Sequence, residues 1–146
     1  MKVQPLCLLH TVIGPTDNVL KILQNRLACG FPNDYLDNIP NLDALLDKHP
    51  CATFLAKAQG ESMTERGIVD GSLLIIDRAM KPTNMSTIVA SLNGELTVKV
   101  IDLKQKLLRA ANKKQKPIPF PDDINALCEG VVTFCINPQG NTSFAC

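Results

Sequence analysis

Apolar residues first recur at helical spacing. Between Thr16 and Ala28, Val19, Leu20, Ile22, Leu23 and Leu27 fall on one side of a helix that Thr16 or Asp17 would cap. The run Cys29-Gly30-Phe31-Pro32 stops that helix, because Gly allows a left-handed turn and Pro disfavours helix before it. Pro32 to Pro40 is polar, with Asn33, Asp34, Asp37 and Asn38, and reads as an exposed connector. Leu42, Leu45 and Leu46 predict one or two helical turns within Asn41 to His49, which Pro50 ends. Beyond Ala52 the pattern becomes that of strands. Thr53–Ala58, Leu73–Asp77, Thr87–Leu92, Glu95–Ile101, Lys106–Ala110 and Val131–Ile136 are short β-prone runs separated by Gly, Pro, Asn and Asp. Asn93-Gly94 suits a two-residue type I′ turn, so Thr87 to Ile101 is expected to fold back as a hairpin. The turn-rich tail, Asn137 to Cys146, is expected to be loosely held. The fold class is therefore mostly β: a compact β domain over residues 41–146, behind a partly helical arm and connector over 1–40.

Length and charge narrow the classes. The 146 residues suit one domain with a short arm. Fifteen Lys+Arg against fourteen Asp+Glu give a net charge of +1, without the strongly basic surface typical of nucleic-acid binders. No apolar run approaches the roughly 18 residues of a membrane helix. The apolar N-terminus carries His10 and two prolines and lacks a small-residue cleavage site, so no signal peptide is read. A cytoplasmic protein is expected. Six cysteines lie scattered with no Cys-x-x-Cys pair, and His10 and His49 are not spaced to complete a zinc site. Free thiols and no metal are the expectation. Neither a phosphate-binding loop nor a dinucleotide turn occurs, so no cofactor is expected.

One pair of residues could carry chemistry. Ser62 lies in the polar turn Gly60-Glu61-Ser62-Met63 after a β-prone run, where neighbouring backbone N–H groups can face a developing oxyanion. A serine–histidine triad has no local motif to support it. A lysine can be the base if its amine is neutral, and Lys99 lies on the second strand of the hairpin. With Leu92 opposite Glu95, Ile88 stands across from Lys99, and an apolar neighbour disfavours the ammonium form. Bringing a lysine from about 10.4 to the useful range near 7 to 8 corresponds to roughly 4 kcal/mol of lost preference for charge. Most serines in turns serve only as caps, and most strand lysines reach water. The pattern alone admits both readings.

The motifs together resemble the UmuD proteins, the mutagenesis branch of the LexA-type self-cleaving serine peptidases. The resemblance rests on Cys29-Gly30-Phe31-Pro32, His49-Pro50, Ala58-Gln59-Gly60-Glu61-Ser62-Met63, Asp70 to Asp77, Asn93 to Lys99 and Gly130-Val131-Val132, all in the family's order. It implies a LexA/UmuD-like β peptidase domain with Ser62 as nucleophile and Lys99 as general base. The backbone N–H groups of Ser62 and Met63 would form the oxyanion hole, and Cys29-Gly30 would be the scissile bond. It further implies a homodimer, cleavage stimulated by the RecA filament on single-stranded DNA, and assembly of the trimmed protein with UmuC into a Y-family error-prone translesion polymerase. Relatives often carry Gly-Asp where this chain has Met85-Ser86. The first 28 residues match poorly and receive no role.

The resemblance also separates neighbouring readings. A LexA-type repressor needs a helix-turn-helix domain, and 28 residues before Cys29 are too few for one, so no sequence-specific DNA binding is expected. A signal peptidase with a similar dyad needs a membrane anchor, and no membrane partner is expected. The basic cluster Lys104, Lys106, Arg109, Lys113, Lys114 and Lys116 reads as a solvated strand and loop. The competing class is a non-catalytic β domain that docks on a polymerase or filament and keeps Ser62 and Lys99 as relics.

Overall fold

Alternation along the central strands sends their side chains to two covered faces, and this sets the architecture. A computed structural model describes residues 1–8 (from residue 5 the backbone alone), 45–120 and 127–140. The helix expected over Thr16–Ala28, the connector, the Cys29-Gly30 bond and most of the tail lie outside the described residues. So does the first half of the expected turn at Asn41–His49, of which Leu45 and Leu46 are helical.

Eight strands follow in chain order: β1 (Lys2–Leu8), β2 (Thr53–Gln59), β3 (Leu73–Asp77), β4 (Thr87–Leu92), β5 (Glu95–Asp102), β6 (Leu107–Arg109), β7 (Ile118–Pro119) and β8 (Cys128–Ile136). They form one sheet in the order β1-β2-β3-β8-β4-β5-β6-β7, and a further pairing of β1 with β5 closes six of them into a barrel. The mostly β fold read from the sequence is the fold observed. The β4–β5 register is also as expected, with Leu92 opposite Glu95 and Ile88 opposite Lys99. Asn93 and Gly94 both take positive φ, 52° and 79°, as a type I′ turn requires.

Within the segment read as an N-terminal arm, Lys2–Leu8 forms β1. It runs antiparallel to β2, from Lys2 opposite Gln59 to Leu8 opposite Phe54, with a register shift between Pro5 and Cys7. Pro5 cannot donate to a ladder, and an irregular edge strand tolerates it.

The barrel interior is the main core: Val3, Phe54, Ala56, Ala58, Met63, Leu74, Ile76, Val89, Val98 and Val100. A second cluster, Ile88, Ala90, Ile101, Leu108 and Val131, covers the opposite face of β4 and β5. Leu55 and Ile75 pack outside β2 and β3 with Leu46 and Phe134. Both faces of β5 are thus dry from Val98 to Asp102, so even Lys99 and Asp102 are enclosed. Close packing also fixes one glycine. A Cβ on Gly130 would stand 2.7 Å from Ile76 Cγ2 and 3.1 Å from the Asp77 carbonyl oxygen.

Candidate active site

Ser62 is positioned by the way β2 ends. Gly60 takes φ +100°, and its N–H donates to Asp70 Oδ1 at 2.8 Å. Met63 then turns wholly into the core, where its sulfur accepts the Ala111 N–H at 3.4 Å. A 3-10 turn, Thr64–Arg66, follows and is closed by Gly67 at φ 73°. The loop beyond is tied back at both ends. Gly71 N–H donates to the Ala58 carbonyl at 2.9 Å, and Ala58 N–H to the Ser72 carbonyl at 2.8 Å. Ser72 Oγ accepts from Val69 N–H and donates to Asn137 Oδ1, while Asn137 Nδ2 donates to the Gly67 carbonyl. These bonds leave Ser62 only 4% exposed in a turn with little freedom to move.

Lys99 sits where two strands part. Along one edge of β5, Thr97 pairs with Lys2 of β1, whereas Val100 to Asp102 pair with Arg109 to Leu107 of β6. Lys99 lies at the fork between these partners and is 7% exposed. Burial lowers its pKa from the ordinary lysine value by penalising the ammonium form. Its Nζ donates to Gln115 Oε1 at 3.4 Å, a long hydrogen bond to an otherwise exposed loop residue.

A third group meets these two. The Met1 ammonium donates to Ser62 Oγ at 2.5 Å. Its pKa is lowered first by burial and then by repulsion from Lys99 and Lys2, so the Lys99 charge is near enough to be felt. The Met1 carbonyl accepts from Val98 N–H at 3.0 Å and from Thr97 Oγ1 at 2.7 Å, on the two residues just before Lys99. Met1 thus bridges the Ser62 hydroxyl and the strand that carries Lys99, and among the described residues no hydrogen bond joins Ser62 to Lys99. The hydroxyl is engaged by Met1 instead. Among the described residues, no backbone acceptor is found for the N–H groups of Ser62 and Met63.

His49, the described histidine, is elsewhere. Its Nδ1 bonds Asp77 Oδ2 at 2.5 Å, and Asp77 pairs with Thr53 at the start of β2. Ser62 follows the far end of that strand, about 20 Å away at some 3.3 Å per residue. No serine–histidine–aspartate triad can form with it. Cys51, Cys128 and Cys135 are free thiols, as expected. Burial raises the pKa values of Cys128 and Cys135, so neither is primed as a nucleophile.

Residues 21–133 match the Peptidase S24-like family, a span that includes both Ser62 and Lys99. The chain belongs to that family. It is 31% identical to protein SamA of Salmonella typhimurium over 131 residues, covering 88% of this chain and 92% of SamA. To protein ImpA of Escherichia coli it is 33% identical over 129 residues, covering 85% and 88% of the two chains. Protein MucA of Escherichia coli is 33% identical over 113 residues, or 74% and 77%. The UmuD-type resemblance read from the motifs is borne out. Among the described residues, no helix is long and apolar enough to cross a membrane.

Sequence reasoning found Ser62 and Lys99 but not the groups around them. Thr97 stands two residues before Lys99, on the same side of the strand by simple alternation, and could have been singled out. Nothing in the sequence pointed to Gln115 or to Met1, because the barrel closure and the loop after β6 bring them in.

Proposed function

We propose that this protein is a self-cleaving serine peptidase of the DNA-damage (SOS) response, with Ser62 as nucleophile and Lys99 as general base. What most supports this reading is the burial of both the hydroxyl and the amine, with desolvation raising the neutral fraction of Lys99. Neutral Lys99 takes the Ser62 proton as Oγ attacks the Cys29 carbonyl carbon. The oxyanion is held by the backbone N–H groups of Ser62 and Met63. The C–N bond to Gly30 then breaks, and Lys99 returns the proton to the leaving nitrogen. Water, deprotonated by the same amine, hydrolyses the acyl-serine ester and frees the hydroxyl.

The substrate is tethered, so control lies in access rather than supply. In this reading residues 1–40 form the arm that presents the bond and residues 41–146 the domain that cuts it. The chain works as a homodimer in the cytoplasm, and the RecA filament on single-stranded DNA stimulates the cut. The trimmed product then serves as accessory subunit of a UmuC-type Y-family polymerase in translesion synthesis.

Incubating the purified protein with RecA filaments and weighing the products tests this reading. Two fragments that join at Cys29-Gly30 are expected, and none from Ser62→Ala or Lys99→Ala. An intact chain that still binds the polymerase would favour the non-catalytic docking domain.

A further inference from the structure

Any peptide cut at Ser62 must place the nitrogen of its leaving residue beside Oγ, because that nitrogen departs from the carbon to which Oγ bonds. Met1 already holds a nitrogen there, 2.5 Å from the hydroxyl. The rest of the residue is held in place, its carbonyl accepting the Val98 N–H and the Thr97 hydroxyl. From that point the chain continues as β1 between β2 and β5. Lys2 lies opposite both Gln59 and Thr97, and Val3 is buried opposite Ala58. This is strand addition along the groove that opens at Lys99, with main-chain bonds giving affinity and a buried side chain giving register.

We propose that β1 stands in for the leaving fragment: its first residues occupy the leaving side of the Ser62 cleft and compete with the cleavage segment for it. The proposal rests on the peptidase reading above and adds its control. The cleft cannot hold two nitrogens beside one hydroxyl, so cutting requires Met1 and Lys2 to withdraw first. The occupant is held by features of opposite sign. Val3 and the ladder to β2 retain it, whereas the Met1 ammonium is partly buried close to a second cation. The exposed Lys2–Glu95 pair adds little, because both side chains are about two-thirds in water. A strand retained by its middle and strained at its tip can yield the cleft without leaving the barrel.

The test compares alkaline self-cleavage of the full chain with that of a chain lacking residues 1–8. Removal is expected to speed cleavage about tenfold or more. A synthetic peptide of residues 1–8 is expected to slow the shortened chain again, whereas a scrambled peptide has no effect. Equal rates for the two chains, or a peptide without effect, would overturn the proposal. Should the shortened chain fail to fold, Val3→Asp in the full chain asks the same question. Faster cleavage is expected, and unchanged or slower cleavage counts against the strand as occupant. Occupancy is read apart from catalysis in a Ser62→Ala background, by following the Val98 amide resonance as the peptide is added to the shortened chain, or the same resonance on introducing Val3→Asp in the full chain. A shift there with no cleavage by any chain sinks the peptidase reading and leaves the occupant in place. Cleavage without a shift does the reverse.

Discussion

A lysine enclosed on β5 is a liability to the fold before it is an asset to any reaction. Burial lowers the Lys99 pKa in the folded chain, while the unfolded lysine titrates near 10.4. Between the lowered value and 10.4 the unfolded chain binds the extra proton, so stability rises with pH across that window. Below it the native state carries the full penalty of a buried ammonium. Lys99→Met, which keeps the volume and removes the charge, is therefore expected to abolish cleavage yet raise the melting temperature at neutral pH. It is also expected to flatten the alkaline rise in melting temperature. Thermal melts from neutral to alkaline pH check this, and a variant less stable than the parent at neutral pH would contradict it. The Met1 amine, also lowered, contributes a rise of the same sign as pH passes its range.

The individual strands show how far sequence determines this fold. β3 and β4 begin and end where their apolar runs do, and Asn93-Gly94 fixes the β4–β5 register by local geometry alone. β8 was legible only from Val131. Gly130 weakens strand propensity, yet the packing of β8 against β3 demands it, so tertiary closeness overrides the local signal. Gly130→Ala is expected to cost about 1–3 kcal/mol by chemical denaturation, the usual range for overpacking. Met85 presents the reverse case. It holds φ 66° before β4, its N–H donating to the Ile101 carbonyl at 2.7 Å. Met85→Gly is expected to stabilise the fold by up to about 1 kcal/mol, as left-handed strain is relieved against a more flexible unfolded chain. A destabilised variant would show that Met85 contributes packing instead. β1 was not legible, because a short run interrupted by Pro5 becomes a strand only between neighbours that the rest of the chain supplies. The same reasoning divides the site. Ser62 and Lys99 are readable in a turn motif and a hairpin, whereas their meeting with Met1 depends on closing the barrel.

At the scale of the whole molecule, the barrel encloses the Ser62 hydroxyl and a desolvated Lys99 amine, the latter where β1 and β6 diverge along β5. It also puts its own first residue there. If the proposed function holds, one arrangement serves both a competent cleft and an occupied one, as suits an enzyme whose substrate never leaves and whose activity must be held back. In the proposed reading the chemistry belongs to this chain, and a filament only changes how often the cleft is free. The most direct measurement is filament-free self-cleavage of the purified protein across the alkaline range, with products identified by mass. A rate that climbs with pH as Lys99 loses its proton, yielding fragments 1–29 and 30–146, is the predicted result. A rate indifferent to pH, or a chain that stays whole throughout, would contradict the account.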